Sequence, residues 1–526
     1  MAAVLIAGAT IPGFISHASG QQNAASAAVP LEPYIEIELG RVDEAYTLVE
    51  RFGPQVSPGW TNYLEPEFYV NFPNNVRLLV GSPDHAPEGF ERVAGRSLHG
   101  KAVYINCKNE VPIKLTRLMS TGGNGGSSVQ IYLVQTPVPP GEKLTGGGTT
   151  EDGILVNVHE LFHCFQYQFE VYEAGSKALE ALEKAAGSFI TDLNYTKWSS
   201  VEGRALLGAY DAKEVKSTRE YLEDYLVARH EKQKGMPAFM VAMEENTQLS
   251  EGTAEYSNDK MAMLVRDAAY AGTNVLVSDP SFLKFAHMDD YVQWHLRNMT
   301  TFVMDNTMDT GMKYYQFGAL ESLVLDRLVP KWKKNFFKSG KTMDDAAAEV
   351  LKLTPADEER VKARLSAKYN MAEIEAKHRP AIEKRDQALA SVANRKGRHY
   401  VIDFSKLPKN DLTSMQRDYS KEMAMVGPRF IYPHGLGQMT LEQVELTTGD
   451  TPIDNVIRTR TFEWIDTESK AGEKGYDLKV GSQDGDVLKD VTFTTKGFTL
   501  KAPEVQITED KEKDEVRALI LSKVKR

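Results

Sequence analysis

Apolar and polar positions change rhythm along this chain, and each rhythm predicts a different kind of element. From about Leu31 to Pro139, short β-branched or aromatic runs stand between turn residues: 68–72, 76–80, 102–105 and 129–134. Such runs predict strands. From Asp152 to about Leu353, apolar residues recur at three-to-four spacing, which predicts helices. One opens near Asp152, read as its cap, and others cover 177–190, 200–210, 217–234, 250–271 and 312–328, the last ended by Pro330. Residues 356–395 are charged with apolar residues at helical spacing, a solvated connecting helix or helix pair broken near Pro380. After Gly397, alternating strands return at 400–404, 444–446, 458–464, 477–480 and 491–500, with a turn over 481–486.

The fold class that follows is α+β. Its parts are a leading segment (1–30), a β-rich part (31–150), a helical domain (151–355), a charged connector (356–396), a β-sandwich-like domain (397–508) and a charged tail (509–526), frayed or helical.

Composition narrows the function. A chain of 526 residues with 42% hydrophobic and 26% charged residues can form several domains with a sizeable core. Its net charge of -11 argues against non-specific nucleic-acid binding, which needs a basic surface. The cysteines are Cys107 and Cys164, too few for a disulfide framework or a Cys-rich metal site; Cys164 reads as core packing. Met1 to Ile15 is apolar and uncharged, followed by small and polar residues. This is the pattern of a secretory signal without its basic start, and it predicts a secreted, cell-surface or periplasmic protein. No other apolar run reaches membrane-spanning length. Two Gly-rich loops, 121–128 and 145–150, lack the Gly-Lys-Ser/Thr ending of a phosphate loop and read as flexible connections near the site. The acceptor patterns at Asn194 and Asn298 carry no weight.

The chemistry concentrates in His159-Glu160-Leu161-Phe162-His163. On a helix, i and i+4 share a face, so His159 and His163 can offer two imidazole nitrogens to one metal ion. Glu160 stands beside them as a base for a water molecule. The window from Val156 to Phe165 has no proline, no glycine and no charge except Glu160, as expected of a buried helix with one polar stripe. A catalytic zinc takes three protein ligands and leaves one position open. Two downstream segments offer a third: Glu202-Gly203-Arg204-Ala205 and Glu251-Gly252-Thr253-Ala254-Glu255-Tyr256, with Ser250 as a possible cap. The small residues would let either helix approach the His159 helix closely. Glu202 and Glu255 have a second reading, as acceptors that orient a ligand histidine.

These motifs resemble those of the zincin metallopeptidases with a glutamate ligand, the gluzincins, whose third ligand commonly stands in Glu-Gly-x-Ala. Glu251 is the better match and Glu202 the alternative. The order also resembles that of bacterial exported proteins described as peptidases: His-Glu-x-Phe-His-x-Phe-Gln over 159–166, Glu-Gly-x-Ala-Glu-Tyr, Tyr-x-x-Gly over 315–318, Leu-Asp-Arg-Leu over 325–328 and Pro-x-Trp over 330–332. The resemblance covers roughly residues 60–505, with its motifs between 152 and 332.

It implies a zincin-like helical domain binding one catalytic Zn2+ through His159, His163 and Glu251, with Glu160 as general base. A Tyr or His would stabilise the oxyanion; Tyr315 is the choice, ahead of Tyr314, Tyr256, His295 and His287. The expected partner is a peptide or protein substrate lying along an edge strand of the N-terminal β region. Two rival readings remain, a zincin-shaped binding protein that no longer cleaves and a metal hydrolase acting on a non-peptide bond.

Overall fold

The computed structural model describes residues 31–521 except 73–75, 85–87, 107–129, 135–148, 170–191, 274–275, 277–278, 280, 305–311, 394–396, 408–415, 418–423, 427–428, 433–437, 442–443, 449–452, 457–460 and 467–473. The signal-like segment, the helix expected over 177–190, Cys107 and most of both Gly-rich loops lie outside the described residues. The fold class is α+β, as the rhythms predict. The chain divides into two compact units, one comprising 1–39 with 66–140 and the other 40–65 with 141–526.

The first element corrects the sequence reading. Residues Pro33–Val56 form a helix, α1, where a β-rich stretch was expected. Ile35, Leu39, Val42, Tyr46, Val49, Phe52 and Val56 are all buried, and they follow the helical period. The early Pro-Tyr-Ile-Glu-Ile alternation hides that period.

Most of α1 belongs to the second unit. The described residues of the first unit form a five-stranded sheet: β1 (Glu67–Asn71), β2 (Arg77–Gly81), β3 (Glu91–Leu98), β4 (Lys101–Asn106) and β5 (Gln130–Val134), in the order β3-β4-β2-β1-β5. All neighbours are antiparallel except β1 and β5. Tyr69, Leu79, Phe90, Ala102 and Tyr104 make its small core. The strand β3 was not foreseen, and its pairing with β4 slips between Arg92 and Ser97.

In the second unit the helices are α2 (Thr150–Gln166), α3 (Leu193–Asp211), α4 (Val215–Gln233), α5 (Ala238–Thr247), α6 (Thr253–Asp267), α7 (Met288–Gln293), α8 (Thr300–Met304), α9 (Met312–Leu328), α10 (Lys333–Phe336), α11 (Met343–Leu351), α12 (Pro355–Lys368) and α13 (Met371–Ala393). A π-helical turn, Gln248–Gly252, joins α5 to α6 without a break, and a second, Trp294–Met299, joins α7 to α8. Ser250 is therefore not a cap. It lies inside the first π turn and donates its hydroxyl to the Asn246 carbonyl at 2.9 Å. The connector breaks at Asn370, which holds a left-handed φ of 47°, and not at Pro380, which α13 absorbs.

Among the described residues of 398–520, 13 strands form one hydrogen-bonded sheet. Its core is built from Tyr400, Ile402, Leu446, Phe462, Trp464, Phe493, Phe498 and Leu500 among others. Part of the expected charged tail is strand. Phe498–Asp510 pairs antiparallel with Glu515–Ile520, whose Val516, Ala518 and Ile520 point inward in period two.

Candidate metal centre

The helix α2 starts earlier than Asp152. Thr149 is its N-cap and accepts from the Asp152 backbone N–H, while the Asp152 side chain accepts from the Thr149 N–H, a reciprocal capping box. The Thr149 hydroxyl also meets His287 Nε2 at 3.1 Å. Behind this cap, Glu151 is buried and accepts the backbone N–H groups of Leu283 and Phe285 at 2.7 and 2.9 Å. Farther along, Phe162 packs edge-on against Trp60 at 5.0 Å and against Phe337 at 5.8 Å. Polar bonds at one end and aromatic packing along one side thus fix the rotation of α2.

That rotation brings three atoms together. His163 Nε2 lies 3.0 Å from His159 Nε2, and Glu251 Oε2 lies 3.2 Å from the first and 3.5 Å from the second. The outer nitrogens are also held. His163 Nδ1 is 2.7 Å from Gln166 Oε1, and Gln166 Nε2 donates to the Ser250 carbonyl at 2.8 Å and the Thr253 hydroxyl at 2.6 Å. Those two donations orient the amide, so its oxygen is the acceptor and His163 Nδ1 carries the proton. His159 Nδ1 is 3.4 Å from Glu255 Oε2, again an acceptor. Both histidines therefore turn the lone pairs of Nε2 toward each other and toward a carboxylate. Three electron-rich atoms converging in this way could hold a cation, a metal ion or a proton, between them.

The geometry suits zinc. Zinc–ligand bonds of about 2.0–2.1 Å at tetrahedral angles give ligand–ligand edges of roughly 3.4 Å, close to the three distances here. Without a metal the same demand is met by a proton. Burial opposes charge on His159, but the Glu251 and Glu255 carboxylates outweigh it and push its pKa up to about 10. Burial likewise opposes charge on Glu251, yet its hydrogen bonds to His159 and His163 hold its carboxyl well below the usual range.

Glu160 sits half-buried on α2, within electrostatic reach of His159, Tyr167 and Tyr315. The Tyr315 ring stacks on His159 at 6.4 Å with 9° between planes, and its hydroxyl bonds Glu251. Burial and then the Glu251 charge push that phenol well above its ordinary pKa. The other oxyanion candidates are engaged elsewhere. Tyr314 bonds Lys232, Tyr256 bonds Asp326 at 2.7 Å, His287 meets Thr149 and His295 Nδ1 bonds Glu255 at 2.7 Å. Cys164 is buried, and burial pushes its thiol up, which fits packing alone.

Glu202 is not with the histidines. Its Oε2 is 2.9 Å from Lys232 Nζ in a buried ionic cluster that also holds Glu244, Arg229 and Asp344, a structural role neither sequence reading gave it. The small residue after Glu251 also serves a different approach from the one expected. A Cβ on Gly252 would lie 2.7 Å from both Gly318 Cα and the Tyr314 carbonyl, and one on Gly318 2.6 Å from the Gln248 carbonyl. Gly252 thus lets the π turn touch α9, the Tyr315 helix. The π turn itself is inserted at Glu251, a common place for such bulges.

Sequence reasoning missed Gln166 and Asp259. A helical signal was there for each: Gln166 is three residues after His163, and Asp259 is four after Glu255. No family model, no curated protein and no solved structure matches this chain.

Proposed function

We propose that this protein is a zinc-dependent hydrolase of the gluzincin type that cleaves peptide bonds. The observation supporting it is the convergence of His159 Nε2, His163 Nε2 and Glu251 Oε2, with Glu160 on the same helix as the histidines. A zinc ion held there supplies Lewis-acid chemistry, acidifying a water molecule and polarising a carbonyl. Glu160 accepts the proton of the attacking water and delivers it to the leaving amine. The Tyr315 hydroxyl donates to the oxyanion of the tetrahedral state, a role its position over His159 permits. Glu255 and Gln166 orient the two imidazoles.

The test is cleavage of denatured casein by the full-length, zinc-loaded protein, read by mass spectrometry. The expected result is internal cleavage by the wild type, lost on chelation and reduced about 10²–10⁴-fold in Glu160→Gln with zinc retained. Zinc retention without turnover in the wild type would contradict the peptidase reading. Ester hydrolysis without peptide cleavage would move the same chemistry to another substrate class.

A further inference from the structure

Carboxylates on this helix continue past Glu251. Glu251, Glu255 and Asp259 follow at intervals of four and line one face. Glu255 divides its two oxygens. Oε2 is 3.4 Å from His159 Nδ1, while Oε1 is 2.7 Å from His295 Nδ1, on the second π turn. Asp259 Oδ1 lies 3.6 Å from the same His295 nitrogen.

Asp259 makes this more than an acidic cluster. Its side chain is 0% exposed, and among the described residues neither carboxylate oxygen has a hydrogen-bond partner. A buried carboxylate in that state is costly, and an ion pair to a histidine already bonded to Glu255 offsets little of the cost. His295 is one quarter exposed, so solvent reaches the cluster from its side, and Tyr291 stacks on the imidazole at 4.3 Å and fixes its plane.

We propose that Glu255, Asp259 and His295 form a second metal site that takes a divalent transition-metal ion, with zinc the probe that tests it. Two carboxylates and one imidazole are a nitrogen/oxygen donor set suited to zinc or manganese. A dication held there neutralises both carboxylates. The exposed side leaves room for water to complete the coordination. Glu255 joins the two sites, with Oε1 on the second ion and Oε2 on the outer nitrogen of His159. The site extends the zinc reading above, and the two counts are separable.

The experiment is the zinc content of the full-length protein after chelation, reloading with Zn2+ and desalting. Wild type is expected to carry two zinc ions per chain. Asp259→Asn, close to isosteric, carries one and keeps the ion at His163; His163→Ala carries one and keeps the ion at His295. A wild-type count of one, abolished by His163→Ala and unchanged by Asp259→Asn, overturns the second site and leaves the first standing. A count of one that survives His163→Ala and is lost in Asp259→Asn supports the second site and contradicts the first. No zinc in the wild type contradicts both. The wild-type count needs no variant to fold.

Discussion

At the residue scale, the decisive atoms are the outer nitrogens of two histidines. Gln166 and Glu255 accept hydrogen bonds from them and so hold a proton on each outer nitrogen, which turns the inner nitrogens toward Glu251. This has a titration consequence. His159 in the metal-free protein is held charged up to about pH 10, so zinc must displace its proton. At pH 8, zinc binding should release close to one proton more in the wild type than in His159→Gln, measured by calorimetry in buffers of different ionisation enthalpy. Equal release would refute the ion cluster. The same charge stabilises the metal-free fold fully below about pH 6.5, the ordinary imidazole value, and that contribution fades as pH rises through about 10. Glu202 and Glu251 separate on the same scale. Glu202→Gln breaks a buried pair with Lys232 and should cost about 3–5 kcal/mol in denaturant unfolding while zinc content holds. Glu251→Gln should do the reverse. The sequence made His159, Glu160 and His163 legible because i,i+4 spacing is geometry in one dimension. Spacing alone left two Glu-Gly segments open and only the resemblance favoured Glu251, since what occupies Glu202 is Lys232, a residue distant in sequence.

At the element scale, the site depends on how closely two backbones approach. Gly252 in the π turn faces Gly318 in α9, and neither has space for a Cβ. Gly318→Ala should cost about 1–3 kcal/mol by overpacking, seen as a lower Tm, and should lower turnover further by shifting Tyr315 and Glu251 apart. A variant with unchanged Tm and turnover would show that the approach is not constraining. The resemblance carried Tyr-x-x-Gly and Glu-Gly-x-Ala as separate strings; the structure shows them to be two sides of one contact. Their partnership was not readable because it is tertiary. Helix existence was legible from periodicity at α9 and α4, whereas α1 was missed because its opening residues alternate like a strand. The Thr149 capping box shifted the start of α2 by three residues, a signal present in Thr149-Thr150-Glu151-Asp152 and passed over for the aspartate alone.

At the scale of the whole molecule, the α+β division was legible, and no described helix is long and apolar enough to cross a membrane. The C-terminal sheet was read as a β-sandwich-like domain without its strand order, because that order is set by non-local pairing such as the parallel contact of Arg398–Asp403 with Glu515–Ile520. In the second unit, α2 and the π turn lie far apart in sequence and meet at the candidate metal centre. A ligand bridging them should stabilise the folded unit by about 4 kcal/mol at a thousandfold excess over Kd. Thermal unfolding should therefore shift upward with added zinc in the wild type and not in His163→Ala. The most direct measurement is anomalous diffraction at the zinc edge from zinc-soaked crystals. A peak about 2.0–2.2 Å from His159 Nε2, His163 Nε2 and Glu251 Oε2 is the predicted result. Density that leaves Glu251 uncoordinated, or no peak between the two histidines, would contradict it.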